Sequence, residues 1–153
     1  MSSKTLSVSA IQNGTVVDHI TSDQTLRIIH MLRLLDKKHT VTVGFNLPSK
    51  RMKLKDLIKI ENHELTAEEA NQISVFAPDA TIAIIKNYEV VKKLKTSMPD
   101  GVSSIFICPN SACITHDEPV ESYFYIREHG KQMNLVCKFC EKSFERNQVK
   151  VRQ

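Results

Sequence analysis

The chain has 153 residues, of which 41% are hydrophobic and 25% charged, and its net charge is +4. This composition is typical of a soluble globular protein and excludes a disordered or fibrous chain. No apolar run reaches the roughly eighteen residues of a membrane-spanning helix, and the first residues lack the apolar block of a secretory signal. We therefore expect a cytoplasmic protein with no membrane partner.

The N-terminal part begins with strand signals. Leu6, Val8 and Ala10 alternate with polar residues, which predicts a half-buried strand. Asn13-Gly14 predicts a turn, and residues 15–20 predict the strand that returns from it.

A first helix is predicted next. Thr21 and Gln24 have the spacing of a capping box, and an apolar face then continues at helical spacing until the helix closes near Asp36-Lys37-Lys38. The residues of this face are Thr25, Ile28, Ile29, Leu32 and Leu35.

Two strands and a second helix follow. We predict strands over residues 40–47 and 54–60 from their β-branched and apolar content. Thr66 and Glu69 predict a capping box at the start of a helix that Pro78 ends.

The last strands of this part are predicted over residues 80–85 and 88–94. Without the first and last strands, the order is β-α-β-β-α-β, which is the ferredoxin-like arrangement with two helices on one face of an antiparallel sheet. The extra strands widen the sheet or leave an edge that pairs with a second copy.

Residues 95–101 are polar, with a proline and a glycine near their end, and predict a linker. We therefore expect one domain over residues 1–97 and another over residues 98–153. In the second domain, residues 123–126 and 133–136 predict a hairpin. The fold class is α+β, with a small all-β, zinc-ribbon-like domain after the ferredoxin-like one.

All four cysteines lie in two short clusters of the second domain: Cys108 and Cys113, then, after twenty-three residues, Cys137 and Cys140. Two close pairs can supply four thiolates to one tetrahedral ion, which predicts one structural zinc per chain. Disulfides or free thiols are the alternatives, and His116 is a weaker candidate ligand. In so small a domain, metal binding would supply much of the folding free energy.

The N-terminal domain carries the excess of positive charge, with 14 Lys and Arg against 10 Asp and Glu, whereas the C-terminal domain carries 7 of each. On the predicted strand over residues 54–60, Lys55 and Lys59 flank Leu57 on one face. Asp18-His19 adds an acceptor and a titratable group. This arrangement suits a phosphorylated ligand with an apolar base; the alternative is a solvated face that protects a sheet edge.

The sequence contains no nucleophile-elbow, zinc-protease or glycine-rich phosphate-loop motif, and it has only four glycines. We therefore expect no catalytic residues and do not expect an enzyme.

Five groups of residues carry a resemblance to a known family: Gly14–Ile20; Gly44–Ser49; Lys55–Asn62; Asn87–Val91; and Cys108-Pro109-Asn110 followed by Cys113 and Cys137–Glu141. Together they resemble the regulatory chain of aspartate carbamoyltransferase, over essentially the whole sequence.

The resemblance implies a non-catalytic allosteric subunit of an enzyme of pyrimidine biosynthesis. Its expected partners are the catalytic chain and a second regulatory chain, in a dodecamer of six catalytic and six regulatory chains in which regulatory dimers link two catalytic trimers. Its expected ligands are cytidine triphosphate (CTP), which inhibits, adenosine triphosphate (ATP), which activates, and uridine triphosphate (UTP), which reinforces inhibition. No nucleic acid is expected.

The resemblance also implies an effector site in which lysines hold the phosphates, the backbone of Ile11 and Tyr88 holds the base, and Asp18 with Lys59 holds the ribose. The matching residues are Ala10, Ile11, Val16, Asp18, His19, Lys55, Leu57, Lys59, Ile85, Tyr88, Val90 and Lys93.

Three positions depart from the family's pattern: Thr5, Ser9 and Ala83 stand where its best-known members have a lysine, a glutamate and an asparagine. By the resemblance, these departures affect the second, synergistic nucleotide position and the discrimination between the two effectors, and they leave the primary triphosphate site intact.

The main alternative from another functional class is a zinc-ribbon protein that binds nucleic acid. It is disfavoured because the cysteine domain has no net positive charge and no stacking-aromatic motif surrounds the basic strand. A small enzyme is the second alternative.

Overall fold

The computed structural model describes residues 10–152, and the chain divides between Met98 and Pro99 into two compact units. The first predicted strand lies outside the described residues except for Ala10. The described elements of the N-terminal unit are β1 (Gly14–Ile20), α1 (Thr25–Met31), β2 (Val41–Ser49), β3 (Lys53–Glu61), α2 (Ala67–Phe76), β4 (Thr81–Lys86) and β5 (Glu89–Leu94).

These five strands form one antiparallel sheet in the order β2-β3-β1-β4-β5. Val17 lies between Ile58 and Ile82 on neighbouring strands, and all three are buried in the core together with Ile28 of α1 and Ile73 of α2. Up to β4, the element order is the β-α-β-β-α-β order of ferredoxin-like domains. The predicted α+β class is therefore confirmed.

Helix α2 begins as predicted. The Thr66 hydroxyl accepts a hydrogen bond from the Glu69 N–H at 3.1 Å, and the Glu69 carboxylate accepts one from the Thr66 N–H at 3.0 Å. The helix ends at Phe76, two residues before Pro78. The capping box is confirmed, and both of its hydrogen bonds are local, joining residues three positions apart.

Helix α1 differs from the prediction at both ends. Its N-cap is Gln24, which makes no side-chain capping bond, so the predicted capping box from Thr21 was wrong. The helix ends at Met31, and turns follow it, with Arg33 in the left-handed region at φ 53°. This conformation changes the direction of the chain, so that Leu34 is buried and Leu35 is exposed, the reverse of the predicted apolar face.

The C-terminal unit is small and all-β, as predicted. Its strands are β6 (Gly101–Ser103), β7 (Phe106–Ile107), β8 (Tyr123–His129), β9 (Gln132–Cys137), β10 (Ser143–Glu145) and β11 (Lys150–Val151). A four-stranded sheet has the order β10-β9-β8-β6, and β11 pairs with β7. The predicted hairpin is β8-β9, and the rings of Phe106 and Phe124 pack edge to face in the core, with centroids 5.8 Å apart.

Neither α-helix within residues 10–152 has the length and apolar character of a membrane span.

Candidate functional site

A cavity of about 650 Å³ opens on the face of the N-terminal sheet opposite the core, a volume within the usual range for small-ligand sites. Its cationic side chains are Lys55 and Lys59 of β3 and Lys93 of β5, and its one carboxylate is Asp18 of β1. Since the lysines outnumber the carboxylate, the cavity suits an anion.

Strand register explains why these lysines share one face. Lys59 lies opposite Val16, Val16 opposite Ala83, and Ala83 opposite Lys93. These four residues form one row across the sheet, with Lys59 and Lys93 about 14 Å apart at three strand spacings. The row therefore places one cation on each side of an apolar floor.

Lys59 is the most buried of the three lysines, with 9% of its surface exposed. Burial lowers the pKa of Lys59 from its ordinary value of 10.5, because it penalises the charged ammonium, while the negative charge of Asp18 opposes part of this shift. A phosphate group entering the cavity would add negative charge and so favour the charged form of Lys59.

Lys55 is paired directly with Asp18. Its Nζ lies 2.9 Å from Asp18 Oδ1 and 3.1 Å from Oδ2. The next residue, His19, has a left-handed φ of 60°, and its backbone N–H donates to Asp18 Oδ1 at 2.7 Å. The His19 Nδ1 atom lies 3.0 Å from the Thr81 hydroxyl. The end of β1 is thus held by contacts to both neighbouring strands.

Nine of the twelve residues expected at the effector site line this cavity: Val16, Asp18, His19, Lys55, Leu57, Lys59, Ile85, Val90 and Lys93.

The other three do not line it. Ala10 is exposed, Ile11 is buried, and Tyr88 is 64% exposed in the turn between β4 and β5. The Tyr88 N–H donates to the Gln12 carbonyl at 2.9 Å, so the segment that holds Ile11 is hydrogen-bonded to this turn. Of the positions that depart from the family pattern, Ala83 lines the cavity, whereas Thr5 and Ser9 lie outside the described residues.

Sequence reasoning missed Leu47, Pro48 and Thr81 as lining residues. Thr81 pairs with Asp18, and Leu47 pairs with Lys55. Correct strand pairing would have revealed them, but the pairing follows from the tertiary fold and not from local spacing.

The second site is the cluster of four cysteines. Their sulfurs all lie within 4.8 Å of one another, and Cys108–Cys140 and Cys113–Cys137 are each 3.7 Å apart. Four sulfurs around a tetrahedral zinc ion at the usual Zn–S length would be about 3.8 Å apart. The donor set and its spacing fit such an ion.

The alternatives to a four-thiolate site do not match this geometry. The cysteines form no disulfide, since the 3.7 Å separations are far longer than an S–S bond. His116 is directed elsewhere, because its Nε2 donates to the Cys108 carbonyl at 2.9 Å. Its role is to hold the first cysteine loop.

Hydrogen bonds to the sulfurs come from residues in and directly after the two cysteine loops, including one from the Thr115 hydroxyl to Cys113 at 3.1 Å. Burial raises the pKa of Cys108 and of Cys137, even though backbone N–H groups donate to both sulfurs. Burial would also raise the pKa of Cys140, but hydrogen bonds from the Asn110 side chain and the Lys142 backbone hold it at about 7. A bound cation would favour the thiolate form of all four.

Both units match known protein families. Residues 6–97 match the family described as "Aspartate carbamoyltransferase regulatory chain, allosteric domain". Residues 100–150 match the family described as "Aspartate carbamoyltransferase regulatory chain, metal binding domain". The two matches together cover most of the chain.

Individual relatives are similar over almost their whole length. The aspartate carbamoyltransferase regulatory chain of Aeromonas salmonicida (strain A449) is 48% identical over 147 residues, 96% of each chain. That of Chromobacterium violaceum is 48% identical over 145 residues, 95% of each chain. That of Proteus mirabilis (strain HI4320) is 48% identical over 144 residues, 94% of this chain and 95% of its own. The chain therefore belongs to the family of aspartate carbamoyltransferase regulatory chains, with an allosteric domain followed by a metal-binding domain.

Proposed function

We propose that this regulatory chain is non-catalytic and binds nucleoside triphosphates in the cavity of its allosteric domain, with CTP as inhibitor, ATP as activator and UTP as a reinforcing inhibitor. The observation that carries the proposal is the cationic cavity itself, in which three lysines and one carboxylate surround an apolar floor. Such a site matches the charge of a triphosphate and the apolar faces of a base.

Each part of the nucleotide has candidate contacts. Lys55, Lys59 and Lys93 would bind phosphate oxygens, and Asp18 would accept from a ribose hydroxyl. Because the Tyr88 N–H is bonded to Gln12, the contribution of Tyr88 to base recognition would come through its carbonyl oxygen. Carbonyl acceptors suit the exocyclic amino groups of cytosine and adenine.

We further propose that the metal is zinc, one ion per chain, held by Cys108, Cys113, Cys137 and Cys140. Four thiolates leave no open coordination position, so the role of the ion is structural. Thiols persist in a reducing compartment, and we therefore place the chain in the cytoplasm.

The partners in this proposal are the catalytic chain and a second regulatory chain, in a dodecamer of six catalytic and six regulatory chains. The metal-binding domain (residues 98–153) would contact the catalytic chain through the cysteine loops Cys108–Cys113 and Cys137–Glu141. An effector acts only through unequal affinity for two states of this assembly, with a typical coupling free energy of about 1 to 3 kcal/mol.

One observation favours nucleic-acid binding as a second candidate. On β8, the rings of Tyr123 and Tyr125 pack edge to face with centroids 5.1 Å apart, and Lys138 and Arg127 lie over them at 5.4 and 5.1 Å. Aromatic and cationic groups of this kind stack on bases. The charge of the C-terminal domain argues against nucleic-acid binding, because this domain carries no net positive charge.

Calorimetry on the full chain distinguishes the two. We expect CTP and ATP to bind one site per chain, Lys59→Met to weaken both, and a short single-stranded RNA to give no signal. RNA binding without nucleotide binding would overturn the proposal.

A further inference from the structure

Asp56 is a fully buried carboxylate in the middle of β3. Its neighbours in sequence, Lys55 and Leu57, line the nucleotide cavity on one face of the sheet, so Asp56 lies on the opposite, core face. A carboxylate is costly to bury unless hydrogen bonds satisfy it, and its partners therefore indicate what it holds in place.

Two elements donate to Asp56. The hydroxyl of Thr25, the first residue of α1, donates to Oδ2. The backbone N–H of Asn46, in β2, donates to Oδ1 at 2.9 Å. A single carboxylate on β3 thus connects the start of α1 to β2.

The Asn46 contact lies at a distortion that forms the cavity wall. The β2–β3 register shifts between Gly44 and Leu47, and Asn46 has a left-handed φ of 55°. Leu47 and Pro48, directly after this point, line the cavity. The hydrogen bond to Asp56 therefore fixes the backbone that presents these two residues.

A second distortion lies on the other side of Asp56. The β1–β3 register shifts between Val17 and Ile20, and Ile20 pairs with Asp56. Asp18 and His19, both of which line the cavity, occupy the shifted stretch. The irregular segments of β1 and β2 that form the site therefore flank one buried carboxylate.

We infer that Asp56, which touches no ligand, is a positioning residue of the effector site, acting with Thr25 to fix the cavity wall and to connect it to helix α1. The inference rests on the proposed function. Ligand binding in the cavity would then affect helix α1 through two hydrogen bonds, from Asn46 to Asp56 and from Thr25 to Asp56.

Calorimetry with CTP on full-length variants tests this role. Thr25→Val removes the hydroxyl at nearly constant volume, and we expect an affinity for CTP weakened roughly tenfold, with one site per chain retained. Thr25→Ser restores the donor and should bind as the wild type does. Asp56→Asn keeps an acceptor for Asn46 and should also weaken binding.

Thr15→Val is the matched control. Thr15 is another fully buried threonine, whose hydroxyl donates to the His63 carbonyl at 2.7 Å and accepts from the Leu65 N–H at 3.2 Å. Its loss should lower the Tm without changing the dissociation constant of the folded chain. A structural role for Thr25 would give this same result.

The outcomes separate two failures. Thr25→Val with the wild-type dissociation constant for CTP would overturn the inference and leave the proposed function standing. A wild-type chain that binds neither CTP nor ATP would overturn the proposed function, and the inference with it.

Discussion

Lys59 is a buried cation, and its burial has a cost in stability. Burial lowers the pKa of Lys59 despite the nearby Asp18, so the folded chain binds the Lys59 proton less tightly than the unfolded chain does. Below the folded-state pKa, the buried ammonium therefore destabilises the fold. This penalty fades as pH rises from the lowered pKa toward 10.5, where the unfolded chain also loses the proton.

Lys59→Met should therefore raise the Tm at pH 7 while abolishing most nucleotide binding. Its stability advantage over the wild type should shrink as pH rises toward 10.5, the ordinary value from which the pKa of Lys59 is lowered. Thermal unfolding across this pH range, with calorimetry at pH 7, measures both effects. Lys38→Met, at an exposed lysine outside the cavity, should change neither. A Tm gain that is independent of pH would show that the charge of Lys59 is not the cause.

Gly14 lies where the backbone leaves no room for a side chain. It has φ 140°, and an added Cβ would lie 1.9 Å from the Ile60 carbonyl oxygen on the neighbouring strand. Gly14→Ala should therefore cost several kcal/mol or prevent folding, because the sheet backbone must move. Gly130 has φ 63°, but a Cβ added there would meet no atom within 4 Å. Gly130→Ala should therefore lower the free energy of unfolding by only about 1 kcal/mol. Denaturant unfolding compares the two, and equal losses would refute the steric explanation.

At the scale of elements, the two helices show what local sequence could predict. The α2 capping box needs only Thr66 and Glu69, and it formed. At α1, the Thr25 hydroxyl bonds to Asp56, which is 31 residues away in sequence, and the helix starts there. Local sequence patterns do not include a partner as distant as Asp56, and the predicted capping box from Thr21 was wrong.

Strand spacing predicted which residues of β3 share one face of the sheet. Lys55, Leu57 and Lys59 lie together as their period of two requires. Leu47 and Pro48 were missed because they reach the cavity through a register shift, which strand periodicity does not encode. Thr81 was missed because its pairing with Asp18 joins distant segments.

Helix α2 also holds the segment that leaves the allosteric domain. The Asn71 side-chain oxygen accepts from the Ser97 N–H at 2.9 Å, and the Ser74 hydroxyl donates to the Asn71 carbonyl at 2.5 Å. The hydroxyl also lies 3.4 Å from the Ser97 carbonyl. These contacts fix the start of the linker to the helix rather than leaving it free.

Asn71→Ala should therefore weaken allosteric coupling without weakening nucleotide binding. We expect the dissociation constant for CTP to stay within about twofold of the wild type, because Asn71 does not line the cavity. The CTP response of carbamoyltransferase activity should fall in the assembled enzyme. Asn71→Asp retains the acceptor for Ser97 and serves as the control. An unchanged response in Asn71→Ala would exclude this anchor from the coupling.

At the scale of the whole molecule, the two units should depend differently on the metal. The C-terminal unit has a small core, with Phe106, Phe124 and Leu135 at its centre, whereas the N-terminal unit has its own core and sheet. The stability of the C-terminal unit should therefore come largely from the bound metal ion. The sequence predicts this dependence from two features, the four clustered cysteines and the small size of the domain, and neither requires knowledge of the fold.

Treatment with a mercurial should release one zinc ion per chain, measured with a colorimetric chelator. We expect the C-terminal unit to lose its ordered structure and the chain to lose association with catalytic trimers, while CTP binding persists. Retained assembly after complete metal release would contradict the structural role of the ion.

In the proposed function, the cavity of the allosteric domain controls a catalytic partner. The most direct test is to purify the chain with its co-expressed catalytic chain and titrate carbamoyltransferase activity with CTP and ATP, using wild-type and Lys59→Met complexes. We predict that CTP inhibits and ATP activates the wild-type complex, and that the variant keeps its basal activity but responds to neither. An equal nucleotide response in both complexes, or none in the wild type, would contradict the claim.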